Sequence, residues 1–492
     1  MELNKLLNGI PCHICGDPNR EISDISYDTR TQLDKSHLFV CIKGFSFDGH
    51  SYSSEAYSRG VRVFAASDKL DLPEDATVIY TEDTRKFLAL ASANRFGHPA
   101  EKLLTIGITG TKGKTSTSFM LQSILNEAGI PTGVIGSTGV FYQGKFEETG
   151  NTTPESYLLQ SLFAKMVDAG CKAVVFEAAS QGFKLHRTYG IPIDAAVFTN
   201  ISPDHIGPNE HADFEEYLNC KKKIFAQSKI AFVNADDPHF DEIVSGAECP
   251  VVPFGGKGNK DGWQAEEMKF SLQDHRLHTT FRAIRKEECI AVESGVPGLF
   301  SVSNALAAIS VAKQFGVSDE AIQKGLLKVR VRGRMEIVPT ETPFTVIIDA
   351  AHEGFSCKSL FETIGLYAPK HIISVFGCGG NRSKLRRYGM GEVIGAHSDF
   401  SIITSDNSRM EKTEDIIADI LVGMEKSGGK YEIVIDRRDA IKKALRTATE
   451  GDVILLIGKG HETYEDKDGK KTPFDEKQIV LDFIAAGMPQ DN

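Results

Sequence analysis

The sequence predicts an α/β fold in three domains. Apolar runs without alternation recur through residues 100–330 and again through 343–492, each followed by about one helix. That pattern suits parallel sheets covered on both faces. One strand, glycine loop and helix, Leu104 to Asn126, opens the first series. The chain has 492 residues, enough for about three domains at ~150 residues each. The boundaries fall at the FGHP turn (Phe96 to Pro99) and at Gly333-Arg334-Met335-Glu336, so the expected domains are 1–98, 99–331 and 332–492.

In chain order, Ile22, Ile25 and Tyr27 lead into Asp28-Thr29-Arg30 and then LFVCIKG (Leu38 to Gly44). This reads as strand, polar turn, strand; Ser54 to Arg59 and Arg85 to Arg95 read as helices. Cys12 and Cys15 form a CxxC with no second pair at zinc-ribbon spacing, and two small core residues are the simpler reading. In the second domain, Leu104, Ile106 and Ile108 form a buried strand, and Phe119, Met120, Ile124 and Leu125 recur at helical spacing. Ala173 to Phe176, ending on Glu177, Ala195 to Phe198, ending in Thr199-Asn200, and Lys229 to Asn234 are further strands. Residues 251–295 alternate as β structure, and Ser301 to Ala312 is helical. In the third domain, TVIIDAAH, IISVFGCGG, FSIITSDN, YEIVID and DVILLIGKGHE alternate with helices as a Rossmann-like unit.

The loop between the first strand and helix of the second domain, Gly110-Thr111-Lys112-Gly113-Lys114-Thr115-Ser116, is a phosphate cradle. Glycines let backbone N–H groups close on oxyanions, and the helix N-terminus adds its positive dipole end. Lys114 is placed to reach the β/γ-phosphates of ATP, and Thr115 to put its hydroxyl on Mg²⁺. The standard pattern needs a glycine where the chain has Ile108, so one glycine is displaced. Glu177, at a strand end of the same sheet, is the matching carboxylate for Mg²⁺. Taken blind, His205 is a structural histidine and Lys221-Lys222-Lys223 a solvated helix face.

The net charge of −11 argues against nucleic acid as a partner. The first residues have no signal-peptide core and no run reaches the ~18 apolar residues of a span, so membrane insertion is not expected. Nine scattered cysteines, an odd number, suit reduced thiols in a cytoplasm.

GTKGKTS, the Glu177 strand, TNISPDH, EEYLNCKKKIF, SNALAA, GRMEIV, DAAH, FGCGGNR, SDNSR and GKGHE occur in an order that resembles the Mur ligase family over nearly the whole chain. GKGHE and NTTP (Asn151 to Pro154) point to its tripeptide-forming branch. The resemblance implies a uridine-binding N-terminal domain, a central ATPase domain and a C-terminal domain for the incoming amino acid. It implies an ATP-dependent ligase that activates UDP-MurNAc-L-Ala-D-Glu as an acyl phosphate and joins a third amino acid to it in peptidoglycan synthesis. It further implies two Mg²⁺ ions, with Lys114, Glu177, His205 and Lys221 in catalysis, and Thr115, Glu177, His205 and Lys221 at metal, Lys221 as a carbamylated N6-carboxylysine beside the second ion. Asn304, Arg334 and Asp349 match ATP contacts. Tyr27, Thr29 and Phe45-Ser46-Phe47 match the uridine site. Asn151, Thr152, Thr153, Ser180 and Arg187 match the nucleotide-dipeptide site. Arg382, Asp406, Asn407, Ser408, Arg409, Gly458 and Glu462 match the amino-acid pocket. A monomer is the expected state.

The chain departs from the family at Ala178-Ala179-Ser180-Gln181, where Ser-Ser-His is usual, at Leu185 for Gln, at Ala350 for Tyr and at Ser408 for Pro. Arg409 and Glu462 offer a cation and an anion. They favour meso-diaminopimelate, with L-lysine next, because an unpaired guanidinium would face a lysine side chain. The competing expectations are folylpolyglutamate synthetase, which should lack the N-terminal domain, and a non-catalytic nucleotide-binding paralogue.

Overall fold

The structure is a computed structural model describing residues 1–44, 47–207, 210–256, 259 and 261–488. Phe45 and Ser46 therefore lie outside the described residues. The chain forms two compact units: Met1–Gln264 with Leu306–Ile322, and Ala265–Ala305 with Gln323–Asn492.

The first unit holds two sheets. The smaller runs in the order His13–Cys15, Thr77–Tyr80, Val63–Ala66, His37–Val40, Asp24–Ser26, parallel except for its first strand. Asp83 caps the helix Thr84–Phe96, accepting from the Arg85 and Lys86 amides, and Gly97 ends it in the left-handed region. Cys12 is half-buried and Cys15 exposed on the edge strand. This corrects the expectation of two core residues: an edge strand turns alternate side chains to solvent.

The larger sheet runs Val251–Phe254, Ala231–Asn234, Ala195–Phe198, Leu104–Thr109, Ala173–Glu177, Thr132–Gly136, Gly139–Tyr142, Lys145–Glu147. Its first six strands are parallel, and its last two form an antiparallel meander. The Leu104 strand lies between the Glu177 strand and the Ala195 strand, with Ile108 opposite both Glu177 and Val197. Three adjacent carboxyl ends therefore deliver the glycine loop, Glu177 and Thr199-Asn200 to one edge, where α/β sheets bind ligands. Helix Lys114–Glu127 packs through Met120, Leu121, Ile124 and Leu125, all fully buried; burial of each such side chain contributes roughly 1.5–3 kcal/mol.

In the second unit, three strands (Gln264–Gln273, Arg276–Arg285, Glu288–Ser294) form one sheet. A six-stranded sheet runs Glu336–Ile337, Thr345–Asp349, Val453–Ile457, Ile372–Phe376, Phe400–Ile403, Tyr431–Ile433, parallel after its first strand. Its loops at the carboxyl ends carry Asp406 to Arg409 and Gly458 to Glu462. Cores pack on both faces of this sheet, as the unbroken apolar runs require.

Candidate active site

Gly113 stands at the helix N-cap with φ +84° and supplies no side-chain cap. The first amides of Lys114–Glu127 are thus left to an anion rather than to a side chain. Gly110 has φ +139°, and a Cβ there would lie 2.0 Å from Thr199 Oγ1, so only glycine lets the loop close. Thr199 and Asn200 brace the loop. The Thr199 hydroxyl donates to Lys112 O at 2.6 Å. Asn200 Oδ1 accepts from Lys112 N at 2.9 Å, and Asn200 O accepts from Thr111 N at 2.9 Å. Thr111 Oγ1 lies 3.1 Å from Tyr217 Oη.

Lys114 Nζ donates to Gly110 O at 2.9 Å and to Thr111 O at 3.0 Å. Lys221 Nζ, on helix Phe214–Lys222 and 111 residues beyond Gly110 in sequence, donates to the same Gly110 oxygen at 2.8 Å. Lys221 is buried, and its nitrogen lies 4.6 Å from the centre of the Tyr217 ring. Burial, and after it the Lys114 charge, hold its pKa well below the ordinary lysine range. The three-lysine run is thus divided: Lys222 is half-buried and Lys223 exposed.

Thr115 and Glu177 meet directly. The Thr115 hydroxyl donates to Glu177 Oε1 at 2.8 Å, and Ser137 N donates to the same oxygen at 3.2 Å. Glu177 is buried with no side-chain cation hydrogen-bonded to it in the described contacts, and its oxygens with the Thr115 hydroxyl are the hard donors that Mg²⁺ prefers. His205 stands apart from this pair. It is exposed, adopts φ +55°, and places Nδ1 3.0 Å from Glu210 Oε1. Lys112 is exposed and Ser116 half-buried on the first turn.

The expected nucleotide-dipeptide residues gather beside Glu177. The buried Thr153 hydroxyl donates to Glu177 O at 2.8 Å and accepts from Ala179 N at 2.9 Å. Arg187 donates to Thr153 O and to Glu155 Oε1, while Arg85 pairs with Glu155 Oε2 at 3.2 Å. Tyr27, half-buried, has its phenol pKa raised by burial and next by Glu155, which places it near this arginine pair. Thr29 is buried, Thr152 half-buried and Asn151 exposed. Ser180 Oγ lies 2.9 Å from the fully buried His211 Nε2. Gln181, where the family has His, has its side-chain amide buried without a hydrogen-bond partner among the described residues.

In the second unit, Asp406, Asn407 and Ser408 are buried. Asn407 Oδ1 accepts from Lys459 Nζ and from Asp466 N, each at 2.9 Å, which directs its Nδ2 to Glu462 Oε2 at 2.6 Å. Burial, then Asp406, push the Glu462 carboxyl above the usual range. Arg409, at φ +54°, donates to Gly380 O at 2.9 Å. Its charge acts on both Glu462 and Arg382, so the three are electrostatic neighbours. Gly458 has φ +118°, and a Cβ there would lie 2.7 Å from Asp406 Oδ2. Asp349 accepts from the Met335 and Ala351 amides at 2.8 Å, pinning the loop that carries Arg334. Asn304 is buried in helix Leu299–Gln314.

Thr199, Asn200, Ser137, Tyr217, His211 and Lys459 are site residues that residue type alone does not disclose. Thr199-Asn200, Tyr217 and Lys459 lie within the motifs TNISPDH, EEYLNCKKKIF and GKGHE, but neither those motifs nor residue type assigns them a contact; position at a strand end or one helical turn from a named group is the remaining signal.

Residues 108–312 match the Mur ligase middle domain, and residues 333–460 the glutamate ligase domain of Mur ligases. The chain belongs to the Mur ligase family. It is an ADP-forming acid–amino-acid ligase of that family, which works with ATP and Mg²⁺. It is 41% identical over 487 residues to a UDP-N-acetylmuramoyl-L-alanyl-D-glutamate–2,6-diaminopimelate ligase of Caldanaerobacter subterraneus subsp. tengcongensis, covering 99% of each chain. It is 37% identical to the ligase of the same name from Clostridium perfringens, covering 98% of this chain and 99% of that one. A solved structure with the same enzyme name superposes over 100% of both chains with TM-score 0.73 and 25% identity. Folylpolyglutamate synthase of Mycobacterium tuberculosis shares the fold over 82% of this chain, with TM-score 0.61 and 18% identity.

Proposed function

We propose that this Mur ligase adds meso-diaminopimelate, the third amino acid of the peptidoglycan stem, to UDP-MurNAc-L-Ala-D-Glu. The observation that carries the reading is the Thr115–Glu177 pair below two lysines on one carbonyl oxygen, at the edge of a sheet with a glycine-closed loop. A carboxylate becomes a good electrophile only when it carries a leaving group, and acyl-phosphate formation brings two anions together. Lys114 and a cation held by Thr115 and Glu177 offset that repulsion. The glutamate carboxylate oxygen takes the terminal phosphoryl group as its bond to ADP breaks. The incoming amine then displaces phosphate, forming the amide and losing a proton.

Lys221 is assigned as N6-carboxylysine at a second Mg²⁺, with His205 nearby on the loop before its helix. Its lowered pKa supports this: the neutral amine is the form that adds CO₂, gaining a C–N bond and losing a proton. The Asn407–Glu462 pair is assigned to an ammonium of the amino acid, and Arg409 with Arg382 to its distal carboxylate. The Thr153, Ser180 and Arg187 cluster is assigned to the nucleotide-dipeptide, and Tyr27 with Thr29 to its uridine end. The domain limits 1–98, 99–331 and 332–492 keep each sheet wholly within one of them, although Ala265–Ala305 group with the third in one compact unit. Among the described residues no helix is long and apolar enough to cross a membrane. A cytoplasmic monomer accords with the substrates proposed.

Purified protein with ATP, Mg²⁺ and UDP-MurNAc-L-Ala-D-Glu should release phosphate only when meso-diaminopimelate is added. Release with a folate substrate instead, or none under any combination, contradicts the reading.

A further inference from the structure

Helix Phe214–Lys222 presents more than Lys221. Asp213 caps it through the Glu216 amide, and Glu216 and Cys220, four residues apart, share one face. Just before the cap, His211 has no exposed surface. Its Nε2 is engaged by Ser180 Oγ. Its Nδ1 is buried and meets no hydrogen-bond partner among the described residues; the nearest carboxylate oxygen, Glu216 Oε1, is 4.0 Å away. His211 Nδ1, a Glu216 oxygen and Cys220 Sγ all lie within 4.8 Å of one another.

A buried ring nitrogen without a partner is uncommon. In the tautomer whose Nε2–H donates to Ser180, Nδ1 turns a lone pair toward a carboxylate and a sulfur. An imidazole lone pair, a carboxylate and a thiol then converge, and a cation that displaces the thiol proton resolves that arrangement. We propose that His211, Glu216 and Cys220 bind one borderline transition-metal ion of the Zn²⁺ class, separate from the oxygen-lined Mg²⁺ position at Thr115 and Glu177. Nitrogen and sulfur donors select Zn²⁺ over Mg²⁺. Zinc bonds of about 2.0–2.3 Å put tetrahedral ligands roughly 3.5 Å apart, so side chains now up to 4.8 Å apart need to close by up to about 1 Å, which rotation of the half-exposed Glu216 and of the Cys220 side chain supplies.

The surroundings are those of a supported site. Ser180 fixes the His211 ring, as outer-shell partners of metal-bound imidazoles do. Ala212 N holds Glu216 Oε2 at 2.7 Å, and Lys184 Nζ holds Oε1 at 2.7 Å. The Lys184 charge opposes a second cation. Coordination by Cys220 offsets it, because the Zn–S bond forms as the thiol proton leaves to solvent and a thiolate charge appears. Burial raises the Cys220 thiol pKa, so that proton leaves on coordination rather than before it. Water completes the tetrahedron. Cys220 adjoins Lys221 in sequence, and His211 touches Ser180, so the ion's ligands neighbour two residues assigned to the active site.

The test uses the metal-free full-length protein in excess Mg²⁺, titrated with Co²⁺ and, in competition with a chromophoric chelator, with Zn²⁺. One equivalent of Zn²⁺ should bind, and Co²⁺ should give a near-ultraviolet thiolate charge-transfer band, which an oxygen-only site does not produce. Cys220→Ser should abolish the band and weaken Zn²⁺ at least tenfold, and Cys15→Ser should change neither. Glu216→Gln, on a half-exposed residue, should also weaken Zn²⁺ at least tenfold and keeps the test readable if Cys220→Ser fails to fold. No band in the folded wild type, a band surviving Cys220→Ser, or unchanged Zn²⁺ affinity in Glu216→Gln overturns the proposal.

Discussion

Lys221 shows how one side chain differs from identical neighbours. It is 2% exposed and shares a carbonyl oxygen with Lys114, while Lys222 reaches the Glu242 carbonyl at the helix surface. Lys221→Ala should therefore lower turnover by ~10²-fold or more, the scale of losing one electrostatic group from a transition state. Lys222→Ala and Lys223→Ala should stay within a few-fold. Short-chain carboxylates should partly restore Lys221→Ala by standing where the carbamate stood, and ¹³C-bicarbonate should label the wild type but not this variant. Equal losses at all three lysines contradict the assignment. Nothing in KKK separates the first lysine from the others: burial is set by Tyr217, one turn back on the same helix, and by the Gly110 loop, 111 residues away in sequence. The CxxC reading failed for a related reason, since two residues do not reveal whether their strand is an edge.

At the scale of elements, the cradle was legible because its chemistry is local. Strand, glycine turn and helix are contiguous, and only glycine suits the backbone at Gly110. Gly110→Ala adds a Cβ 2.0 Å from Thr199 Oγ1 and a positive-φ penalty of about 1–2 kcal/mol. It should cost nucleotide affinity by at least tenfold in a binding titration while circular dichroism stays unchanged. Lys114→Ala should abolish ligation with the fold intact; near-normal turnover would contradict the cradle assignment. The Thr199-Asn200 brace was not legible, because its partners lie about ninety residues upstream in Gly110–Lys112. The pocket of the second unit is partly legible: SDN and GKGHE name its members, but only the fold shows Lys459 orienting Asn407 toward Glu462. Glu462 has its pKa raised by burial and by Asp406. The ionised form is needed to hold an ammonium, so amino-acid affinity should be lost as pH falls through that raised value, above where an ordinary glutamate titrates. The same shift makes the proton favourable to folding below the raised value and the bare charge costly above it. Glu462→Gln should remove the acid limb of the KM profile; a limb unchanged in the variant would assign it to another group.

For the whole molecule, α/β class and parallel sheets followed from apolar runs that do not alternate, because a strand covered on both faces has no polar side to show. Less accessible was the grouping into compact units, since the strands of residues 264–294 belong with the later part of the chain although they precede helix Leu299–Gln314. The central claim is that this whole assembly joins meso-diaminopimelate to the nucleotide dipeptide, with Arg409 pairing the distal carboxylate. The most direct measurement is a single reaction containing UDP-MurNAc-L-Ala-D-Glu, ATP, Mg²⁺ and equal meso-diaminopimelate and L-lysine, read by the mass of the product, with Arg409→Ala beside the wild type. The account predicts the diaminopimelate tripeptide from the wild type, by a ratio of kcat/KM on the order of 10⁴, and loss of most of that preference in the variant. A lysine tripeptide from the wild type, unchanged or increased in Arg409→Ala, would contradict it.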